Sequence, residues 1–174
     1  MLSMSTDHPD IDAFIDSKKD INKITHANIS IRTNDKFFNN LDKNGKTLRK
    51  LAQNNWESAE PGILFWDRVE DWHLLSEHPD YELYSTNPCG EQPLPGGGSC
   101  LLGSINLSNF VLNPFTDNAT IDYKRLEDVV RIVIVGMNEV LDDGIPLHPL
   151  KIQRDIATNF RQIGTGIMGL GDLF

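Results

Sequence analysis

The sequence predicts an α/β fold, because stretches with helical spacing of apolar residues alternate with short apolar runs of strand length. The chain has 174 residues, of which 39% are hydrophobic and 24% are charged, and this is ordinary usage for a globular protein. Neither an internal repeat nor a low-complexity tract is visible in the sequence. A chain of this length and composition can bury a core of its own.

The N-terminal part predicts a strand, a helix, a loop and a second strand. We expect the first strand to end at residues 3–5 and the helix to be capped by Thr6 or Asp7. The polar residues 18–25 then form a loop. Apolar and polar residues alternate over residues 26–32, and this alternation predicts a half-buried strand.

The next elements are shorter. Asn34 or Asp35 is placed to cap a second helix, and Asn44-Gly45 is expected to separate it from a third. Residues 62–66 form an apolar run of strand length, and residues 68–75 have the spacing of a short helix. The predicted inward side chains of that helix are Val69, Trp72 and Leu75.

The clearest predicted element is a helix over residues 123–142, where apolar residues recur every three or four positions. Gly144 and Pro146 are expected to end it, and a last helix is predicted over residues 150–161.

Residues 164–171 contain Gly-x-Gly-x-x-Gly, the pattern of a dinucleotide-binding turn, but no convincing strand precedes it. We therefore attribute these glycines to close backbone packing in a strand.

Charge and hydropathy exclude two classes of partner. The formal net charge is −9, whereas a surface that follows a nucleic-acid backbone needs clustered Lys and Arg. The most apolar stretch, residues 129–141, is interrupted by Arg131 and Glu139, so we expect no membrane-spanning segment. The N-terminus has no signal-peptide pattern and the chain has only two cysteines, which is typical of a cytoplasmic protein.

The most informative segment is residues 87–97, Asn-Pro-Cys-Gly-Glu-Gln-Pro-Leu-Pro-Gly-Gly. Its prolines and glycines exclude helix and ordinary strand, so we predict a stiff loop, apolar enough to be buried inside a larger structure. An extended Cys89-x-Glu91 would project both side chains to one side, where a sulfur and a carboxylate can divide bond cleavage and proton transfer. Residue usage alone favours the alternative, an inert buried thiol.

The second cysteine, Cys100, lies 11 residues after Cys89. A structural disulfide between the two is unexpected in a reducing compartment. Zinc is a weaker alternative, because structural zinc sites prefer cysteines about two to four residues apart, and His73 and His78 do not restore that spacing. We therefore predict no metal site.

Two stretches, Asn87-Pro88-Cys89-Gly90-Glu91 and Cys100-Leu101-Leu102-Gly103-Ser104-Ile105-Asn106-Leu107, closely resemble the finger loop of the ribonucleotide reductase catalytic subunit. The similarity covers practically the whole chain, through residues 7–11, 27–30, 60–66, 138–142 and 161–164. It implies an α/β fold that is part of a ten-stranded α/β barrel with a central finger loop. Residues 1–174 would be a single segment of that barrel, without the N- and C-terminal parts of the family.

The resemblance also implies a role for each residue of the loop. Cys89 would carry a thiyl radical that abstracts the ribose 3′ hydrogen, and Glu91 would take the 3′-hydroxyl proton. Asn87 would hydrogen-bond the substrate hydroxyls, and Pro88 and Gly90 would complete the substrate-binding loop. Cys100 would be one of two thiols that reduce the substrate and close a transient disulfide.

Residues 18–25 match the position of the family's specificity loop, which relays effector identity to substrate choice. Its candidate residues are Lys18, Lys19 and Asn22. The alternative is a solvated, charged connector, because these residue types are common in loops.

The resemblance implies reduction of ribonucleoside di- or triphosphates, with dNTP and ATP effectors, a thioredoxin- or glutaredoxin-type reductant and a homodimeric full-length subunit. The cysteine spacing and residues 90–94 resemble adenosylcobalamin-dependent members more than members that use a separate metal-containing radical-generating subunit. The family's second reducing cysteine precedes the matched region, so we expect an internal fragment that is poorly stable and inactive alone. The alternative is a non-catalytic split piece that acts only by assembly with complementary chains.

Overall fold

Helices and strands of the chain fall into two separate units. The structure is a computed structural model that describes residues 1–20 and 22–174. The first unit is Met1–Gly96 and the second is Gly97–Phe174. Helices and strands alternate in both, so the predicted α/β class is confirmed. The sheets of the described residues are open and have three or two strands, and they do not close into a ten-stranded barrel.

The first unit contains five strands and four helices within its described residues. They are β1 (Leu2–Ser5), α1 (Ile11–Asp16), β2 (Ile29–Thr33), α2 (Asp35–Phe38), α3 (Leu41–Ser58), β3 (Gly62–Phe65), α4 (Trp66–Trp72), β4 (Leu83–Thr86) and β5 (Pro93–Pro95).

The second unit contains four strands, three α-helices and two short 3₁₀ turns. They are β6 (Leu101–Asn106), a 3₁₀ turn (Leu107–Phe110), β7 (Val111–Leu112), β8 (Thr120–Ile121), α5 (Tyr123–Gly144), a 3₁₀ turn (Ile145–Leu147), α6 (Lys151–Phe160), β9 (Ile163–Met168) and α7 (Leu170–Leu173).

A parallel sheet in the order β1-β2-β3 organises the first unit. Its core is made of Ile11 and Ile15 from α1, Ile31 from β2 and Leu51 from α3. The expected alternation along β2 is wrong at Ser30, which is buried like its apolar neighbours. The middle strand of a parallel sheet is covered on both faces, so its polar and apolar residues are buried alike.

Two sequence-based boundaries among the first three helices are wrong. The first helix begins at Ile11, after a turn, and not directly after Thr6 or Asp7. α3 continues through Asn44-Gly45, because the Asn44 amide donates to the Phe37 carbonyl (2.9 Å) and so holds α3 to α2. An exposed glycine inside a helix costs only about 1 kcal/mol, which packing of the helix can offset.

The predicted orientation of the fourth helix is also wrong. Trp72 was expected to face inward, but it is largely exposed and Trp66 is buried in its place. The helix begins at Trp66, two residues before the predicted start, and this shift changes the face that packs on the sheet.

A polar network joins the end of α1 to α3. The Asn54 amide, which is buried, donates to the Ile15 carbonyl (2.9 Å) and to the Asp16 carboxylate (3.0 Å). Lys50 and Lys19 also contact this carboxylate, at 2.5 and 2.9 Å. Burial alone would raise the pKa of Asp16, but the hydrogen bonds from Lys50, Asn54 and Lys19 together hold it well below its ordinary value.

The second unit is built on a parallel pair, β6 and β9. The register runs from Leu101 opposite Ile163 to Asn106 opposite Met168. The predicted helix over residues 123–142 is confirmed as α5, and α5 and α6 both lie between the two strands in the chain. The buried side chains of this unit are Ile105, Phe110, Met137, Leu141 and Ala157.

The glycine-rich segment is a strand and not a dinucleotide-binding turn. Gly164 and Gly166 lie inside β9 and pair with Leu102 and Ser104 of β6. A Cβ at Gly166 would lie 3.4 Å from the Ser104 hydroxyl, which is an ordinary contact, so close packing does not require glycine there. At Gly169, directly after β9, an added Cβ would overlap the Asn106 side-chain oxygen.

None of the helices in the described part of the chain combines the length and the apolar character that a bilayer crossing requires.

We predict that Leu51→Ala destabilises the first unit by about 2–5 kcal/mol, because Leu51 is 0% exposed in the core and its loss leaves a cavity. The matched control is Trp56→Ala on the same helix, where the side chain is 82% exposed and the change should stay within about 0.5 kcal/mol. Native-state hydrogen exchange of the β2 amides measures both. Equal exchange rates in the two variants would contradict the assigned core.

We predict that Asp16→Asn weakens stability at neutral pH and that its effect fades in acid. Because the folded pKa of Asp16 lies below its ordinary value of 3.8, the ionised carboxylate stabilises the fold above that pH. This contribution is lost as the pH falls below 3.8 toward the folded pKa. Urea denaturation of wild type and variant between neutral pH and pH 3 tests this; a difference that stays constant over that range refutes it.

Candidate active site

The segment around Cys89 is the tip of a β-hairpin. β4 and β5 pair antiparallel, with Thr86 opposite Pro93 and Leu83 opposite Pro95, and the ladder has an irregularity between them. The prediction that residues 87–97 contain no strand is therefore wrong for β5. Proline is tolerated in an edge strand because the N–H that it lacks is not needed for pairing there.

Asn87 holds the connection between the two strands, residues 87–92, which we call the Cys89 turn. Its backbone N–H donates to the Gln92 carbonyl (3.1 Å), and its side-chain oxygen accepts the Gln92 N–H (3.0 Å). Its carbonyl accepts the Gly90 N–H (3.1 Å) and the Thr86 hydroxyl (2.9 Å). Asn87 is only 8% exposed, so these hydrogen bonds satisfy polar groups that water does not reach freely.

The same amide contacts Glu91. Because the side-chain oxygen of Asn87 accepts from a backbone N–H, the Nδ2 group is left to donate, and it donates to the Glu91 carboxylate. The amide orientation is thus fixed by the backbone of the turn. One buried side chain determines both the closure of the turn and the position of its carboxylate.

Cys89 and Pro88 lie at the exposed tip of the turn. Within this chain Asn87, at the base of the turn, is buried, and burial of the whole loop inside a larger structure stays a prediction. The expected extended Cys-x-Glu geometry is wrong, because the hydrogen bond from Gly90 to Asn87 closes a tight turn across Cys89. Glu91 is placed by Asn87 and not by strand alternation.

This arrangement can support a reaction that needs a thiol and a carboxylate together. The sulfur of Cys89 is accessible, and the Glu91 carboxylate is also exposed and can accept a proton from a bound molecule. Asn87 and Glu91 are brought together directly. Sequence analysis missed the roles of Thr86 and Gln92 in closing the turn. The Asn-Pro pair at residues 87–88 is a known turn signal, and it could have indicated that the Asn87 side chain bonds to nearby backbone groups.

Cys100 belongs to the second unit. It is half-buried and directly precedes β6, whose first N–H, that of Leu101, donates to the Gln162 carbonyl (3.4 Å). Cys89 and Cys100 are not joined by a disulfide. Among the described residues, no group of three or more His, Cys, Asp and Glu side chains is arranged to hold a metal ion.

The residues predicted for a specificity loop are engaged in local contacts. Residue 21 lies outside the described residues. Lys18 donates to the Ala27 carbonyl (2.8 Å) and forms an ion pair with Glu60. Lys19 contacts Asp16, and the Asn22 amide donates to Asp20 (3.3 Å).

We predict that Gly90→Ala opens the Cys89 turn. Gly90 has φ +89°, a region that costs an L-residue about 1–2 kcal/mol, although the nearest atom to an added Cβ is 4.0 Å away. The matched control is Gly96→Ala, where an added Cβ meets nothing within 4 Å and φ is not positive. Amide exchange at Gln92 should accelerate about tenfold in the first variant only. Unchanged exchange in Gly90→Ala would contradict the described turn.

Comparison with known proteins places this chain in one family. The model of the ribonucleotide reductase barrel domain matches residues 46–174. The vitamin B12-dependent ribonucleoside-diphosphate reductase of Thermoplasma acidophilum is 34% identical over 98% of this chain and 24% of that protein. The vitamin B12-dependent ribonucleotide reductase of Streptomyces clavuligerus is 30% identical over 99% of this chain and 22% of that protein.

A solved structure has the same fold. The class Id ribonucleotide reductase alpha subunit of Actinobacillus ureae superposes with a TM-score of 0.73 and 20% identity, over 98% of this chain and 33% of that one. The chain spans about a quarter of the length of the curated relatives cited above. By its sequence and its fold, the chain belongs to the ribonucleotide reductase barrel-domain family.

Proposed function

We propose that this chain provides the Cys89 turn of a ribonucleotide reductase, which converts ribonucleotides to 2′-deoxyribonucleotides for DNA synthesis by thiyl-radical chemistry. The observation that carries the proposal is the buried Asn87, which closes the turn and binds Glu91 while Cys89 stays accessible between them. Membership of the reductase family supports the same reaction.

Each functional group of the turn has a distinct role in the proposed reaction. A sulfur radical on Cys89 takes the hydrogen atom from C3′ of the ribose and becomes a thiol. Glu91 accepts the 3′-hydroxyl proton, and Asn87 hydrogen-bonds the sugar hydroxyls. The 2′-hydroxyl then leaves as water. At the end Cys89 returns its hydrogen atom to C3′ and becomes a sulfur radical again, and Glu91 returns its proton to the 3′ oxygen.

The electrons come from a pair of thiols. Reduction at C2′ needs two electrons and two protons, which two thiols supply as they close a disulfide. Cys100 is proposed as one of them. The chain has two cysteines and Cys89 carries the radical, so the second reducing thiol comes from outside residues 1–174. A thioredoxin- or glutaredoxin-type protein then reduces the disulfide for the next turnover.

We propose adenosylcobalamin as the source of the radical, because the relatives from Thermoplasma and Streptomyces are named as vitamin B12-dependent. The alternative is a separate metal-containing subunit. When bound, the cofactor supplies the unpaired electron that removes a hydrogen atom from a thiol. The exposed sulfur of Cys89 fits a radical source that approaches from outside the turn. The proposed substrates are ribonucleoside di- or triphosphates.

We further propose that the open sheets become part of a ten-stranded barrel in the complete subunit, which forms a homodimer and responds to dNTP and ATP effectors. Apolar side chains that are exposed in the second unit, among them Ile132, Val135 and Ile167, support a need for further packing partners. The same exposure is what a non-catalytic split piece would show before assembly, so that alternative stays open.

The specificity loop over residues 18–25 remains a prediction. The partly buried ion pair between Lys18 and Glu60 supports the alternative of a charged connector, because it occupies a side chain that an effector-sensing loop would need to move.

We predict that the two cysteines fail in different ways when replaced in the complete polypeptide that carries this segment. Cys89→Ser should abolish both deoxynucleotide formation and cleavage of the 3′ C–H bond, because an oxygen radical is not formed at serine under the same driving force. Cys100→Ser should abolish deoxynucleotide formation but retain 3′ C–H cleavage.

Chromatography of the products and release of tritium from a [3′-³H]ribonucleotide measure the two events. Each variant is the control for the other. Deoxynucleotide formation at the wild-type rate by Cys89→Ser would refute the proposed function, and loss of tritium release in Cys100→Ser would refute the division of roles.

A further inference from the structure

Arg161 has an unusual backbone conformation for its residue type. It ends α6 with φ 43°, in the left-handed region, where its N–H still donates to the Ala157 carbonyl (3.1 Å). This conformation is unfavourable for a residue with a Cβ and is usually taken by glycine or asparagine. Contacts of the side chain must therefore compensate.

The guanidinium of Arg161 donates hydrogen bonds to two residues that lie one turn apart on α5. Nη1 and Nη2 donate to the two carboxylate oxygens of Asp142, at 2.6 and 3.0 Å. Nε and Nη2 donate to the side-chain oxygen of Asn138, at 3.1 and 2.9 Å. We call these three residues the Arg161 clamp. A bidentate guanidinium pair fixes direction as well as distance, which a lysine cannot do.

The clamp also changes the titration of its members. The hydrogen bond from Arg161 lowers the pKa of Asp142, and the hydrogen bond to Asp142 raises the pKa of Arg161. Both shifts favour the charged forms, so the ion pair persists across the neutral range.

The chain leads directly from the clamp to Cys100. The residue after Arg161 is Gln162, whose carbonyl accepts the Leu101 N–H (3.4 Å). The next residue, Ile163, is the register partner of Leu101 in the β6 and β9 pair. Cys100 immediately precedes Leu101. The first contact of β6 with its partner strand is therefore made at the turn that the clamp holds.

α5 touches both strands of that pair as well. Met137, next to Asn138, accepts the Thr165 hydroxyl of β9 at its sulfur (3.5 Å). On β6, a Cβ at Gly103 would lie 3.0 Å from the same sulfur, so the glycine lets the helix approach this strand. One helix thus carries the clamp and the packing contact that together locate β6 and β9.

We infer that Arg161 is a positioning residue for the Cys100 thiol, acting through the Arg161 clamp and the start of β9. The clamp holds the left-handed turn, the turn presents the Gln162 carbonyl to Leu101, and this contact sets where the thiol lies. The inference deepens the proposed function, because it rests on Cys100 being one of the reducing thiols.

The test measures the reactivity of each thiol in the complete polypeptide. Samples are treated with iodoacetamide, and mass spectrometry follows alkylation of the peptides that contain Cys100 and Cys89. Arg161→Gly is the main variant, because glycine accepts the left-handed backbone conformation while the side chain with its guanidinium is removed. We expect the alkylation rate of Cys100 to change about tenfold while that of Cys89 stays constant.

Companion variants separate the clamp from a general effect of charge. Asp142→Ala should change the Cys100 alkylation rate in the same direction but by less, because the hydrogen bonds of Arg161 to Asn138 remain. The double variant should add nothing to Arg161→Gly, because Asp142 acts through Arg161. The matched control is Lys151→Ala, which removes an ion pair of the same length (2.6 Å, to Asp155) from the same helix α6 and should leave Cys100 unchanged. Arg161→Lys should rescue only in part, because it keeps the charge but not the fork.

Two results would overturn the inference: a wild-type alkylation rate at Cys100 in Arg161→Gly, or an equal increase at both cysteines, which indicates general loosening.

Steady-state kinetics give a second readout. Arg161→Gly should lower kcat with an unchanged KM and leave tritium release from the 3′ position intact. If wild type makes no deoxynucleotide but Cys100 reactivity still depends on Arg161, the proposed function fails and the positioning role stands.

Discussion

The buried side-chain amide of Asn87 is the contact on which the Cys89 turn depends. Its oxygen accepts the Gln92 N–H, and its nitrogen donates to the Glu91 carboxylate. Leaving this buried amide without hydrogen bonds would cost about 1–3 kcal/mol of stability. The same amide therefore holds both the backbone of the turn and the Glu91 carboxylate in place. The exposed thiol needs no contact of its own, because the chain on either side of it is fixed.

Much of the fold follows from local patterns, and the failures have identifiable physical causes. The long apolar periodicity of α5 predicted its extent to within two residues, because packing of one face dominates a helix of that length. Asn44-Gly45 was given too much weight as a helix break, since its small propensity cost is outweighed by burial of Leu51 one to two turns later. β6 was not predicted at all, because its pairing with β9 joins segments that are far apart in the chain.

The candidate site could be predicted in its residues but not in its geometry. The Pro and Gly content of residues 87–97 indicated a stiff connection, and Cys89, Asn87 and Glu91 were identified before the fold was known. The extended Cys-x-Glu arrangement failed because a hydrogen bond across the turn, from Gly90 to Asn87, is stronger than the preference for alternation in so short a segment. The Arg161 clamp could not be read from sequence, because the two helices that it joins meet only in the folded second unit.

An unpaired electron on the sulfur of Cys89 is tested most directly by rapid-freeze electron paramagnetic resonance of the complete polypeptide during turnover. An electron on a cysteine sulfur couples to the two β hydrogens of that residue, so protein grown on β-deuterated cysteine should give a narrower signal. We expect this narrowing in wild type and no such signal in Cys89→Ala. A substrate-dependent radical signal whose shape does not respond to cysteine deuteration, or one that survives in Cys89→Ala, would contradict a radical on Cys89.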